Sequence, residues 1–259
     1  MINKILNLNI RNFLWLIFAR KISRLFKIYF VPSDKKNLPK VNHPLQNLKY
    51  FFENQYINFY KNNFNFNKDL YRSLRKNFSK YQKIKILDFG GENIDLYLFL
   101  LKKFPNIHIS VLNQQKLNNH LRNFVSQKKI KGINVLSDIS KLKRINFNYV
   151  YFGSSLQYLR GYEKILKILL KKKIKYFNIS ATSYFNSTNL KDKIILKQVN
   201  LLPKELYCYC FNYKNIILMF KNNGYEKVFK EDNSYKKINF RNFPYEIKYL
   251  NILFKKKSI

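Results

Sequence analysis

Residues 84–100 read IKILDFGGENIDLYLFL, and this stretch decides the fold. Ile84 to Phe89 is a short, nearly continuous apolar run of the length and composition of a buried strand. Asp88 sits at its end, Gly90 and Gly91 follow, and a helical pattern begins by Asp95. Glycine has no Cβ and accepts positive φ, so such a turn lets backbone approach a ligand closely, while the next helix offers free N–H groups. In open α/β sheets ligands lie at the carboxyl ends of the strands. A binding site is therefore expected at the tip of this first strand.

Outward from it, apolar runs alternate with longer amphipathic stretches. Ile107 to Leu112, Ile133 to Leu136, Tyr149 to Phe152 and Ile174 to Ile179 read as strands; Asp95 to Lys103, Gln114 to Gln127 and Tyr162 to Lys171 read as helices. A helix at Tyr213 to Asn222, stopped by Gly224, precedes strands at Tyr225 to Lys230 and Ile247 to Phe254. Parallel strands need crossovers, usually helical, so the alternation predicts an α/β sheet with helices on both faces. From Leu48 to about Lys80 the spacing predicts two short covering helices, and Val31 to Pro44, with three prolines, reads as a linker. The expected organisation is a basic helical extension and linker over 1–45 and a main domain over 46–259, with covering helices over 46–80 and the sheet over 81–259.

The first thirty residues mix apolar residues with Lys and Arg and read as helix. The apolar run Phe13 to Ala19 is far short of the ~20 residues a bilayer crossing needs. Basic residues, not a small-residue cleavage site, follow it. Such a helix either packs on the domain or lies in a membrane interface with Trp15 and Phe18 inserted.

Among 259 residues, 50 Lys and Arg face 14 Asp and Glu, a formal charge of +36. That excess fits a polyanionic partner, nucleic acid or acidic lipid headgroups. It also fits a coding bias toward A/T-rich codons, since Lys, Asn, Ile, Tyr and Phe are enriched together and the lysines are spread along the whole chain. With 46% hydrophobic residues wholesale disorder is excluded, and two cysteines exclude a disulfide scaffold, so a cytosolic globular protein is expected. Cys208 and Cys210, in the strand-like YCYCF, read as packing residues, and no metal site is expected. His43, His108 and His120 read as structural or surface residues, and no phosphate-binding loop or Ser-His-Asp arrangement is present.

Acids are scarce, yet Asp88, Glu92 and Asp95 fall within eight positions. They suit a cationic ligand in a site shielded from water; Glu92 and Asp95 equally suit the first turn of a helix by its dipole.

LDFGG at 87–91, YVYFGSSLQYL at 149–159, KILKILLKKKIKYFNIS at 164–180, KQVN at 197–200 and FKNNGYEKVFKE at 220–231 occur in this order. Together they resemble the methyltransferases of bacterial surface-polysaccharide gene clusters, a branch of the class I S-adenosylmethionine-dependent enzymes. The resemblance covers about residues 83–254. It implies a Rossmann-like seven-stranded sheet, mostly parallel, with an antiparallel last strand. It also implies S-adenosylmethionine as cofactor, with Asp88, Gly90, Gly91 and Glu92 beside its methionine part. Asn113 falls where the family has a ribose-binding acid, Asp138 lies near the adenine, and Gly153 and Ser154 lie beside the transferable methyl. Gln157, Tyr158 and Thr182 would orient the acceptor; no general base is identifiable. The glycine pattern stops early, at Glu92-Asn93-Ile94, and Asn113 lacks the charge of a carboxylate. The acceptor loop has no proline, unlike many enzymes that clamp a flipped base. The resemblance thus implies O-methylation of a sugar or small acceptor for surface glycan in the cytoplasm, and the N-terminal extension would bring the enzyme to the inner membrane face. A methyltransferase-fold protein without catalysis and a nucleic-acid methyltransferase stay open as alternatives.

Overall fold

The structure is a computed structural model that describes residues 29–39, 48–62, 66, 68–187, 192–199, 206–232, 239–240 and 246–257. The stretch read as an N-terminal helix, with Trp15 and Phe18, the later part of the stretch read as linker, with His43, and Asn200 of KQVN lie outside the described residues. In chain order the elements are β1 (Tyr29–Pro32), α1 (Leu48–Tyr60), α2 (Asp69–Asn77), β2 (Ile84–Phe89), α3 (Ile94–Lys103), β3 (Ile107–Leu112), α4 (Gln115–Gln127) and β4 (Ile133–Val135). They continue with β5 (Tyr149–Gly153), α5 (Tyr162–Leu170), β6 (Tyr176–Phe185), β7 (Lys193–Val199), β8 (Leu206–Asn212), α6 (Tyr213–Asn222), β9 (Tyr225–Asp232), β10 (Asn239–Phe240) and β11 (Ile247–Lys256).

Seven strands lie in the order β4-β3-β2-β5-β6-β11-β9; all are parallel except β11, which runs antiparallel to both β6 and β9. Side chains of the central strands are buried on alternate faces. Ile84, Ile86, Tyr149, Tyr151 and Tyr176 face a core built with α1 to α4. Leu87, Phe89, Val150, Phe152, Phe177 and Ile179 face one built with α5 and α6. Burial on both faces explains why these strands read as apolar runs without alternation. In the second core Phe220 of α6 stacks on Phe254 of β11, with centroids 3.9 Å apart. Asn212 caps α6 by accepting from the Lys214 N–H at 3.2 Å, and Gly224, at φ +77, ends it.

Four strands go beyond the expected seven. The segment after β6 returns as β7 and β8, β8 pairs in parallel with Tyr184 and Phe185 at the end of β6, and β1 and β10 add beyond β7. Part of the stretch read as linker is therefore strand β1, which ends at Pro32, a residue that cannot donate to a ladder. Strand β6 is also longer than expected, running to Phe185 and not Ile179. Its pairing with β11 shifts register between Leu250 and Ile252, where Ala181 takes φ +49 and gives its N–H to Asn251 Oδ1 at 2.8 Å. The side chain repairs the ladder, and the strand continues. Among the described residues no helix is long and apolar enough to cross a membrane.

Candidate functional site

The tip of β2 is a tight, crowded turn. Gly90, at φ +83, donates its N–H to the Leu112 carbonyl at 2.8 Å, and a Cβ there would come within 2.5 Å of Ser155 Cβ. Ser155 Oγ donates to the Phe89 carbonyl, tying the loop after β5 to the turn. A Cβ on Gly91 would overlap the Asp88 carboxyl and the Tyr97 hydroxyl. Glycine is thus required at both positions, first by dihedral and then by space.

Asp88 is 3% exposed, and its Oδ2 accepts from the Tyr97 hydroxyl at 2.9 Å. Burial pushes its carboxyl up to about 7; the Tyr97 hydrogen bond works against that rise, and the Glu92 charge adds to it. Asp88 therefore lies directly beneath Gly91, and with Glu92 it gives the tip of β2 an acidic corner.

Around the tip the structure brings together Gly90, Gly91, Glu92, Asn113, Gly153 and Ser154, all half-buried. Asn113 closes β3 and its amide is turned inward: Nδ2 donates to the Gly91 carbonyl at 3.1 Å and Oδ1 accepts from the Gln114 N–H at 2.8 Å. Asp138 stands exposed on the next tip and caps a 3₁₀ turn over Ile139–Lys143. The Ser140 and Ser137 hydroxyls and the Ser140 N–H hold its carboxyl down at about 2. Ser154 takes φ +60, and its N–H donates to the Ser180 carbonyl at 2.9 Å, pinning β5 to β6 at the same level.

Beyond Ser154 a short turn, Leu156–Tyr158, inserts between β6 and β8. Gln157 is fully buried there. Its Oε1 accepts from the Ser183 N–H at 3.1 Å and from the Ser183 hydroxyl at 3.3 Å, a hydroxyl shared with the Tyr209 carbonyl at 3.0 Å. The amide faces the phenols of Tyr158 and Tyr249, both pushed up by burial, yet Nε2 makes no well-formed hydrogen bond among the described residues. Buried Cys208 and Cys210 complete this wall as free thiols. Among the described residues no group of three or more His, Cys, Asp and Glu is placed to hold a metal.

Gln157 and Tyr158 stand together in the turn after β5; Thr182 does not join them. It lies inside β6, not past its end, fully buried opposite Leu250 on the α5–α6 side, with its hydroxyl donated to the Ser180 carbonyl at 3.2 Å. Its neighbour Ser183 faces the wall instead. Three further residues escape sequence reasoning: Tyr97, Tyr249 and Gln55, whose Oε1 reaches from α1 to accept the Ile94 N–H at 2.6 Å. Tyr97 carries one usable signal, since its place in the first turn of α3, where side chains tilt toward the helix N-terminus, returns it toward the strand tip.

The strand order 3-2-1-4-5-7-6, with strand 7 reversed, is that of the class I methyltransferase fold, and this is the fold of the chain. Among solved structures it is similar to the N-terminal domain of EvdMO1 with SAH bound, with 13% identity, a TM-score of 0.52 and coverage of 74% of this chain and 82% of that one. EvdMO1 in the presence of SAH and D-fucose gives 11% identity, 0.50, and 86% and 91% coverage. The [4+2]-cyclase SpnF gives 11%, 0.50, and 73% and 81%. Neither the models of known protein families nor the curated proteins yield a match, so the narrower likeness to polysaccharide-cluster enzymes rests on the motif blocks alone.

Proposed function

We propose that the chain is an S-adenosylmethionine-dependent methyltransferase acting on a hydroxyl of a sugar or other small neutral acceptor. The observation that carries this reading is the buried Asp88 carboxyl beneath the glycine turn at the tip of β2. A buried carboxyl held at about 7, with the Glu92 charge beside it, suits a ligand that brings its own positive charge. The cofactor would supply an electrophilic methyl group on a sulfonium. Backbone of Gly90, Gly91 and Glu92 would hold its amino-acid part, Asn113 and Asp138 its nucleoside part, and Gly153 and Ser154 the floor beneath the reacting atom. EvdMO1, of the same fold, has been crystallised with SAH.

The acceptor class follows from the adjoining wall. Among the described residues that wall is built of Gln157, Tyr158, Ser183, Cys208 and Tyr249, an amide, hydroxyls, a thiol and aromatic rings, with Tyr158 its part-exposed member. Such a surface suits hydroxyl groups better than a charged acceptor. Positioning of the acceptor oxygen is the part of the acceleration this wall can provide. EvdMO1 was also crystallised in the presence of D-fucose, in keeping with a sugar. A role in surface glycan assembly is part of this proposal. So is delivery to the inner membrane face by the N-terminal stretch; sedimentation with anionic liposomes at low salt tests that step, and failure to sediment removes it.

Calorimetry with S-adenosylmethionine and SAH, followed by transfer of labelled methyl into oligosaccharide acceptors, tests the central reading; absence of binding by either ligand refutes it. The inward-turned Asn113 amide favours a second reading, a protein that keeps the fold without transferring methyl. SpnF carries this fold under the name of a cyclase, and binding without transfer to any acceptor would select this reading. Methyl acceptance by RNA or DNA would instead select the nucleic-acid alternative that the +36 charge suggests.

A further inference from the structure

Away from the tip, a cavity of about 270 Å³ opens between α2 and the β9–β11 edge of the sheet. Its floor is apolar. Leu253 is buried on β11, while Val228 and Phe229 of β9 are each 42% exposed. Consecutive strand residues normally point to opposite faces. Here the register of β9 on β11 shifts, with Leu253 opposite Phe229 but Phe254 opposite Lys227. Val228 is the extra residue of a bulge, which is how both it and Phe229 come to line one cavity.

The opposite wall is one face of α2, where Asp69, Arg72 and Lys76 recur at helical spacing. Asp69 is fully engaged: its side chain is 10% exposed and accepts from Asn251 Nδ2 at 2.8 Å, Ser180 Oγ at 3.2 Å and Arg72 at 3.4 Å. Arg72, 60% exposed, spends one nitrogen on that long contact, leaving most of its donors open. Lys76 is exposed and has no carboxylate partner among the described residues. On the strand rim stands Glu231, which repels an anion at its own end and so fixes a direction.

We propose that this groove is a binding site for a small organic anion, a flat ring bearing a phosphate. The ring lies on Val228, Phe229 and Leu253, and the phosphate faces Arg72 and Lys76. Two cations one helical turn apart match a dianion, and a guanidinium forks onto phosphate oxygens. The volume, just under the roughly 300 Å³ of the smallest common ligand pockets, limits the guest to about one ring and its substituent. The site is independent of methyl transfer.

A chain of +36 attracts any anion, so the test separates a built site from diffuse charge. Phenyl phosphate, inorganic phosphate and benzyl alcohol are titrated by ligand-observed NMR at an ionic strength of about 0.3 M, where screening acts within ~6 Å. Phenyl phosphate is expected to saturate at one equivalent and the other two to bind at least tenfold more weakly. Lys76→Gln, at an exposed position, is expected to weaken phenyl phosphate severalfold, Arg72→Gln with Lys76→Gln tenfold or more, and Glu231→Gln to tighten it. Inorganic phosphate binding as well as phenyl phosphate, or a double variant that binds unchanged while unfolding at the parent temperature, overturns the proposal.

Discussion

Asp88→Asn is expected to stabilise the protein, by an amount that grows with pH. The carboxyl titrates at 3.8 as an ordinary aspartate and is pushed up to about 7 in the folded chain by burial. Between those values the native state holds a proton that the unfolded chain has lost. The slope of unfolding free energy with pH is proportional to protons bound unfolded minus protons bound native, which is negative here, so stability falls as pH rises through this window. Each pH unit corresponds to about 1.4 kcal/mol, and the whole window to about 4 kcal/mol. An asparagine keeps an oxygen for the Tyr97 hydroxyl but has no charge to desolvate. Its NH2 adds a cost that does not depend on pH, and every other titrating group is shared with the parent. Urea unfolding of parent and variant at pH 5 and pH 8 isolates the effect. The free-energy difference between them should shift in favour of the variant by about 3 kcal/mol from the lower to the higher pH. A difference that stays constant would show that Asp88 is not desolvated at the turn, and the acidic corner would lose its basis.

The same corner predicts that S-adenosylmethionine binding near pH 6.5 releases protons, because a cationic ligand draws the Asp88 carboxyl down; heats in buffers of different ionisation enthalpy should differ there, and by less in Asp88→Asn. Gly91→Ala should cost about 2 kcal/mol by overpacking, with partial recovery in the double variant with Tyr97→Phe, read as a coupling in thermal unfolding. Asn251→Ala should destabilise by about 3 kcal/mol, since it strips a donor from buried Asp69 and leaves the Ala181 N–H unpaired; denaturant melts check this. Gln157→Leu removes an unsatisfied buried donor but also the acceptor for Ser183, so its stability should change by less than about 1 kcal/mol while methyl transfer falls at unchanged cofactor affinity.

How far the sequence discloses this molecule depends on where side chains meet. Strands β2 and β3 match their sequence-derived limits residue for residue, because parallel strands buried on both faces spell nearly continuous apolar runs between punctuating residues. The tip of β2 was legible for the same reason, since its elements are contiguous. Gln55 on Ile94, Asn251 on Asp69 and Tyr249 beside Gln157 were not, because each joins distant segments; Asn251 and Asp69 are 182 positions apart.

Strand β6 shows the sharper limit. All ten of its residues are buried, yet Asn178, Ser180, Thr182 and Ser183 are polar, so its apolar signal stops at Ile179 while the strand runs on. Those polar groups are tolerated inside because partners satisfy them: Tyr149 for Asn178, Asn251 for Ser180, the Ser180 carbonyl for Thr182 and Gln157 for Ser183. Placing the strand's end too early made Thr182 look like the first loop residue and a hand for the acceptor. Because successive strand residues face opposite sides, a position that differs by one selects the wrong face. Thr182 faces Leu250 and the α5–α6 core, whereas Ser183, one residue on, holds the amide of Gln157 in the wall where the acceptor is proposed to dock.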